Sequence, residues 1–286
     1  MLVCCLTCIT VAAFAQDDVR TWGLNENESR YVFADTAYVR ISPDTRQSPA
    51  DTLFAGDDIT VVSPVADKLL SLKGLSAPWV QVKYKKNGID KEGFLWQGLI
   101  SFTPMRRGDT KFVYAIDRRI DSTEIDDGVK RVSKYFLVKL KVVRAGQLLA
   151  SSSCRVFDGE GANFAESKVM SGLGLSNVQN IVTICFNGAA CGVPSSYYYF
   201  AWMHDARLVP LPERMTVGDA DVYYHDETLT FPAEKDGQPD MIFWNMVEGE
   251  ETEKMDKKGN PVMKVTKDAA KYTWDGVSGT FKKVGK

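Results

Sequence analysis

Few residues in this chain could do chemistry. There are two histidines, His204 and His225, and six cysteines. A thiol beside an imidazole would supply a nucleophile and its base. Cys185 and Cys191 are the thiols to consider, and no spacing in the sequence brings either to a histidine. Ser195-Ser196 lies in Pro-Ser-Ser-Tyr, not in the glycine-x-serine-x-glycine turn that exposes a nucleophilic serine. Asp219 and Asp221 would share one face of a strand, and Asp226-Glu227 follows them. Paired carboxylates act as acid and base on a glycoside only where a cleft holds them apart. Gly172-Leu173-Gly174-Leu175 lacks the third glycine and the Lys-Ser/Thr of a phosphate loop. No catalytic residue and no cofactor is assigned.

Metal and sulfur chemistry is equally sparse. No CxxC and no Cys/His set has zinc spacing. Glu234, Asp236 and Asp240 around Gly237 place oxygens on a tight turn, as calcium requires. That stretch faintly resembles the calcium loops of integrin-type propeller repeats, but Pro232 stands where the first acidic ligand should be. A plain hairpin turn with exposed acids is the favoured reading, and no metal ligands are assigned. Cys185 and Cys191 flank Phe-Asn-Gly-Ala-Ala. They either close that loop as a disulfide in an oxidising compartment or stay as two buried thiols. Cys154 is left without a partner.

The elements that must position these residues read as strands. Tyr38–Ile41, Asp51–Phe54, Ile59–Val62, Trp79–Tyr84 and Gly93–Trp96 are short apolar runs, with a last short piece at Leu99-Ile100. Turn residues separate them, Asn87-Gly88 among them, which predicts a small β-barrel. Further on, Lys111–Ile116, Lys134–Val143, Asn180–Phe186, Tyr197–Trp202, Val222–Tyr224, Met241–Trp244, Val262–Val265 and Lys271–Trp274 continue the pattern. The second region is therefore predicted to be antiparallel β, with at most one short helix, placed near Asn163–Met170. A curved sheet, a sandwich and a partial propeller all fit it.

The 286 residues carry a net charge of −2, with 44% hydrophobic and 25% charged residues, so the chain is an ordinary globular protein. Balanced charge gives no electrostatic footprint for nucleic acid. Residues 1–15 form an uncharged apolar run ending Ala13-Phe14-Ala15, which predicts a signal peptide. The run is too short to span a bilayer of about 30 Å, so no membrane span is expected after its removal. The predicted organisation is a signal at 1–15, a linker at 16–30, a barrel at 31–105 and an antiparallel β domain at 109–286.

Within the barrel the motifs resemble a bacterial SH3 domain over residues 36–101. Tyr38-Val39-Arg40 with Pro43 is similar to that family's opening strand and loop. Leu53-Phe54-Ala55-Gly56-Asp57 resembles its turn before the second strand. Trp79-Val80-Gln81-Val82 resembles its tryptophan strand, and Gly93-Phe94-Leu95 its final glycine-aromatic strand. The stretch Ser63–Pro78 departs from the pattern and would lengthen one loop. Trp79 and Phe94 are expected in the core. Tyr38, Arg40, Tyr84 and Trp96 are the expected ligand contacts. The resemblance implies an exported, non-catalytic binding protein of the bacterial envelope, periplasmic or extracellular. Its partner would be a cell-wall peptide or glycan, or an envelope protein. The alternatives are a cell-wall hydrolase with its site in the second region, and a structural part of an envelope assembly.

Overall fold

The computed structural model describes residues 23–126, 129–159, 161–188, 190–220, 222–259 and 261–284. The expected signal peptide and Asp221 lie outside these residues. The fold is all-β, with curved antiparallel sheets. Among the described residues the single helical element is a 3-10 turn, Gln97–Leu99.

The first sheet holds β1 (Ser29–Tyr31), β2 (Thr36–Arg40), β3 (Pro49–Phe54), β4 (Asp58–Leu72), β5 (Leu75–Lys86) and β6 (Ile89–Trp96), in the order β1-β4-β5-β6-β2-β3. Alternation sends Ala37, Val39, Leu53, Ile59, Val61, Val80, Val82 and Leu95 inward, where all are buried. The curl needs a close crossing of β2 over β6, and Gly93 permits it. A Cβ there would lie 2.4 Å from Val39 Cγ1 and 3.0 Å from the Arg40 carbonyl oxygen. The free edge of β3 is bridged by side chains of the β5–β6 hairpin. Lys86 Nζ donates to the Thr52 carbonyl at 2.8 Å, and Tyr84 and Lys91 both reach Asp51.

The stretch Ser63–Pro78 is not a loop. It extends the β4–β5 hairpin, with Leu69 opposite Pro78 and Leu72 opposite Leu75. The Lys73-Gly74 tip docks on the second sheet, which is built from β7 (Met105–Arg107), β8 (Thr110–Asp126), β9 (Val129–Arg144) and β10 (Gln147–Phe157). A bulge between Ile116 and Arg118 breaks the β8 ladder there. It frees the Arg119 N–H to bond the Lys73 carbonyl at 3.0 Å, and Asp117 takes the Lys73 ammonium at 3.1 Å.

The third sheet contains β11 (Asn163–Ser171), β12 (Val178–Asn187), β13 (Ser195–Met203), β14 (Leu208–Pro210), β15 (Arg214–Asp219), β16 (Tyr223–Thr230), β17 (Met241–Met255), β18 (Pro261–Asp275) and β19 (Thr280–Val284). Its order is β11-β12-β13-β15-β16-β17-β18-β19, with β14 paired to β13. Of the arrangements left open by the sequence, the curved sheet is the one found. The helix expected near Asn163–Met170 is instead strand β11, held in register by β12. Strands β12 and β13 are covered on both faces, which is why they read as continuous apolar runs. Val182, Ile184, Phe186, Phe200 and Trp202 face one core. Ile181, Ala201 and Met203 face another, with Phe231, Ile242 and Trp274.

The first of these cores is continuous through all three sheets. Phe102, in the segment between the first and second sheets, is its aromatic hub. Its ring centroid lies 5.4 Å from Tyr114, 4.9 Å from Phe164 and 5.9 Å from Phe186. Two lysines add polar ties. Lys111 Nζ bonds the Gly56 carbonyl and Asp58, each at 2.7 Å, over the Tyr31 ring. Lys141, almost fully buried, bonds the Phe33 carbonyl and Asp35, each at 2.7 Å.

Candidate functional site

The outward face of the β2–β3 hairpin is built by simple alternation. Ala37, Val39 and Leu53 point inward, so Thr36, Tyr38, Arg40, Thr52 and Phe54 point outward. Tyr38 sits opposite Thr52 and Thr36 opposite Phe54, which makes Tyr38 and Phe54 diagonal neighbours. Both are large aromatics in water, 50% and 48% exposed. The Lys86 ammonium lies 5.5 Å from the centre of the Phe54 ring. Arg40 donates to the Gln47 carbonyl and so braces the loop that follows it. On that loop Ile41 is 69% exposed.

Beyond the edge of β3, Tyr84 donates to Asp51 Oδ2 at 2.9 Å and Lys91 to the same oxygen at 2.7 Å. These two bonds, Lys91's first, hold the Asp51 carboxyl below its usual range. Burial, then the Asp51 contact, pushes the Tyr84 hydroxyl up to about 12. Tyr84 therefore remains a donor across physiological pH. It lines a cavity of about 510 Å³ together with Ile59, Lys91 and the charged pairs of the β5–β6 hairpin. Those charges neutralise one another, Lys83 with Glu92 at 3.5 Å and Lys85 with Asp90 at 3.6 Å.

The structure separates the four expected contact residues. Tyr38 and Arg40 stand on the outward hairpin face. Tyr84 is buried and reaches only the cavity beside Asp51. Trp96 is a core residue, 3% exposed, with its indole N–H donating to the Ala77 carbonyl at 3.1 Å and its ring against Gly98. The 3-10 turn that follows Trp96 folds back over the ring and covers it. Phe54 was not among the expected contacts. Its signal was present, because Leu53 and Phe54 are adjacent and only one of them can face the core.

The groups considered for catalysis have other occupations. The Cys154 and Cys185 thiols are pushed up by burial and stay protonated. Cys185 donates to Asn187 Oδ1 at 3.2 Å, and Cys191 is exposed, so both are free thiols and not a disulfide. Ser195 Oγ accepts the Gly188 N–H at 3.2 Å. His204 is exposed on a turn. Glu234 accepts the Phe231 N–H at 2.7 Å and Asp240 the Ser176 N–H at 2.8 Å, so these acids build turns. Among the described residues, no group of three or more His, Cys, Asp or Glu is placed to hold a metal ion.

One constellation went unread in the sequence. Tyr223, His225 and Glu227 alternate along β16 and share a face, and Glu248 lies directly across from His225 on β17. His225 Nδ1 is 3.1 Å from Glu248 and Nε2 is 3.1 Å from Glu227. Tyr223 donates to Glu248 at 3.0 Å. Burial pulls the imidazole down, but the two carboxylates outweigh it and its pKa is raised. With both ring nitrogens engaged by carboxylates, the imidazole links β16 to β17.

Comparison with known protein families, curated proteins and solved structures finds no match to this chain.

Proposed function

We propose that the chain is an exported, non-catalytic binding protein of a bacterial envelope. In this reading its barrel is SH3-like and contacts a cell-wall peptide or a protein segment through the outward face of β2 and β3. The observation that carries this is the exposed pair Tyr38 and Phe54 on two paired strands. Rigid aromatics supply large contact area at small entropic cost, which is what a binding surface needs. Arg40 stands on the same face, where its remaining N–H groups could take a peptide carboxylate. The motif resemblance over residues 36–101 supports the SH3-like reading. The buried, protonated thiols and the doubly clamped imidazole favour binding over hydrolysis.

The test is co-sedimentation of the chain with purified peptidoglycan, with the supernatant analysed by mass spectrometry. Wild type is expected to sediment, and Tyr38→Ala and Phe54→Ala to remain largely in solution, with no fragments released. Wild type left in solution would remove the wall ligand. Released fragments would revive the hydrolase reading.

A second reading, a structural part of an envelope assembly, is favoured by one observation. The β8–β9 hairpin carries Ile125, Val129 and Val132 near its tip, 78%, 57% and 56% exposed. Apolar groups held out in water suit a partner contact.

A further inference from the structure

The third sheet contains a second concavity, of about 270 Å³, where the core around Phe231 and Ile242 gives out. Its wall is made by cross-strand partners. Cys185 lies opposite Tyr197, and Tyr197 opposite Arg214, so all three share a face. The Arg214 guanidinium sits 3.6 Å above the centre of the Tyr197 ring. Nε donates to the Tyr199 hydroxyl at 3.0 Å and Nη1 to the Glu227 carbonyl at 3.3 Å. These neutral partners fix the plane of the group and leave its charge uncompensated. The Tyr197 hydroxyl is a further neutral partner, and among the described residues no acid pairs with the guanidinium, whose remaining N–H groups can take the oxygens of a carboxylate. The acids that share the pocket are engaged elsewhere. Glu166 pairs with Lys168 at 2.5 Å, and Glu234 accepts the Phe231 N–H. The lining also includes the apolar side chains of Leu229, Phe231, Met170 and Leu173.

We propose that this pocket binds a small apolar carboxylate, with the carboxylate on Arg214 and the hydrocarbon on Leu229 and Phe231. The volume sets the size. Whole drug-sized ligands fill roughly 300–1,000 Å³, so this pocket takes an end group of about one residue. A peptide C-terminus and a free branched acid offer the same chemistry. The site lies on a different sheet from the barrel, so its failure would leave the barrel reading untouched.

The test uses the whole chain and three probes: N-acetyl-leucine, N-acetyl-leucinamide and 4-methylpentanoate. Binding is read by NMR titration from the Leu229 methyl groups in every variant and, in wild type, also from the Arg214 Nε–H resonance. N-acetyl-leucine is expected to shift these resonances saturably, with a dissociation constant of about 1 mM or tighter. The amide, which has no carboxylate, should bind at least about tenfold more weakly. Comparable binding of 4-methylpentanoate would assign the site to free acids as well as chain ends, and its failure to bind would restrict the site to peptide ends. Arg214→Gln, checked for an unchanged unfolding midpoint, should lose binding, and Arg214→Lys should recover only part of it because a lysine has no fork. No saturable shift at Arg214 with either carboxylate, or equal binding of acid and amide, would overturn the proposal.

Discussion

At the scale of single residues, exposure decides what each aromatic does. Trp96 and Tyr38 both sit at strand ends in the sequence, and they have opposite fates. Trp96→Ala should cost about 3–5 kcal/mol of stability, as large aromatic truncations in cores do. Tyr38→Ala should change stability by no more than about 0.5 kcal/mol. Urea unfolding of the two variants checks both. Equal costs would mean that one of the two environments is wrongly described. His225 provides a second residue-scale prediction. Its folded pKa is raised by Glu227 and Glu248, so its stabilisation is complete below the unfolded value of about 6.5. It then fades as pH rises through the higher folded value. Glu248→Gln should bring the imidazole pKa down in an NMR titration. An unshifted value in that variant would deny the clamp.

At the scale of elements, pattern alone could read some strands and not others. Trp79–Tyr84, Asn180–Phe186 and Tyr197–Trp202 were legible because burial on one or both faces leaves a period or an apolar run. The far half of β4 contains Asp67, Lys68 and Ser71 and shows no such pattern. Its conformation comes from pairing with β5 and from the docking of its tip on the β8 bulge. Strand β11, where the pattern allows at most one short helix, is hidden for the same reason, since its register is set by β12. The tip contact can be tested directly. The Arg119 amide, bonded to Lys73 across two sheets, should resist hydrogen exchange. Replacing residues 66–75 by a two-residue turn should make that amide exchange fast while Val138 and Leu140 stay protected. Protection that survives the deletion would show that the tip contributes nothing there.

At the scale of the whole molecule, the three sheets share one continuous core. The expected boundary falls between residues 105 and 109, and Phe102, just before it, is the centre of the aromatic cluster. Composition does not show this, because the ring's partners Tyr114, Phe164 and Phe186 lie far along the chain. The shared core predicts a single cooperative unfolding transition for the chain. Lys141→Met removes the donor to the Phe33 carbonyl and should lower stability by about 1–3 kcal/mol while keeping that single transition. Two separated transitions in calorimetry would mean that the barrel folds alone. A rigid body gives the exposed aromatic pair a fixed orientation, and so ties the fold to the proposed function. The most direct measurement is calorimetric titration of the chain with soluble wall-peptide fragments, for wild type and for Tyr38→Ala combined with Phe54→Ala. Saturable binding by wild type, weakened by at least about tenfold in the double variant, is the result expected of an aromatic contact surface. Undiminished binding by a folded double variant would contradict it.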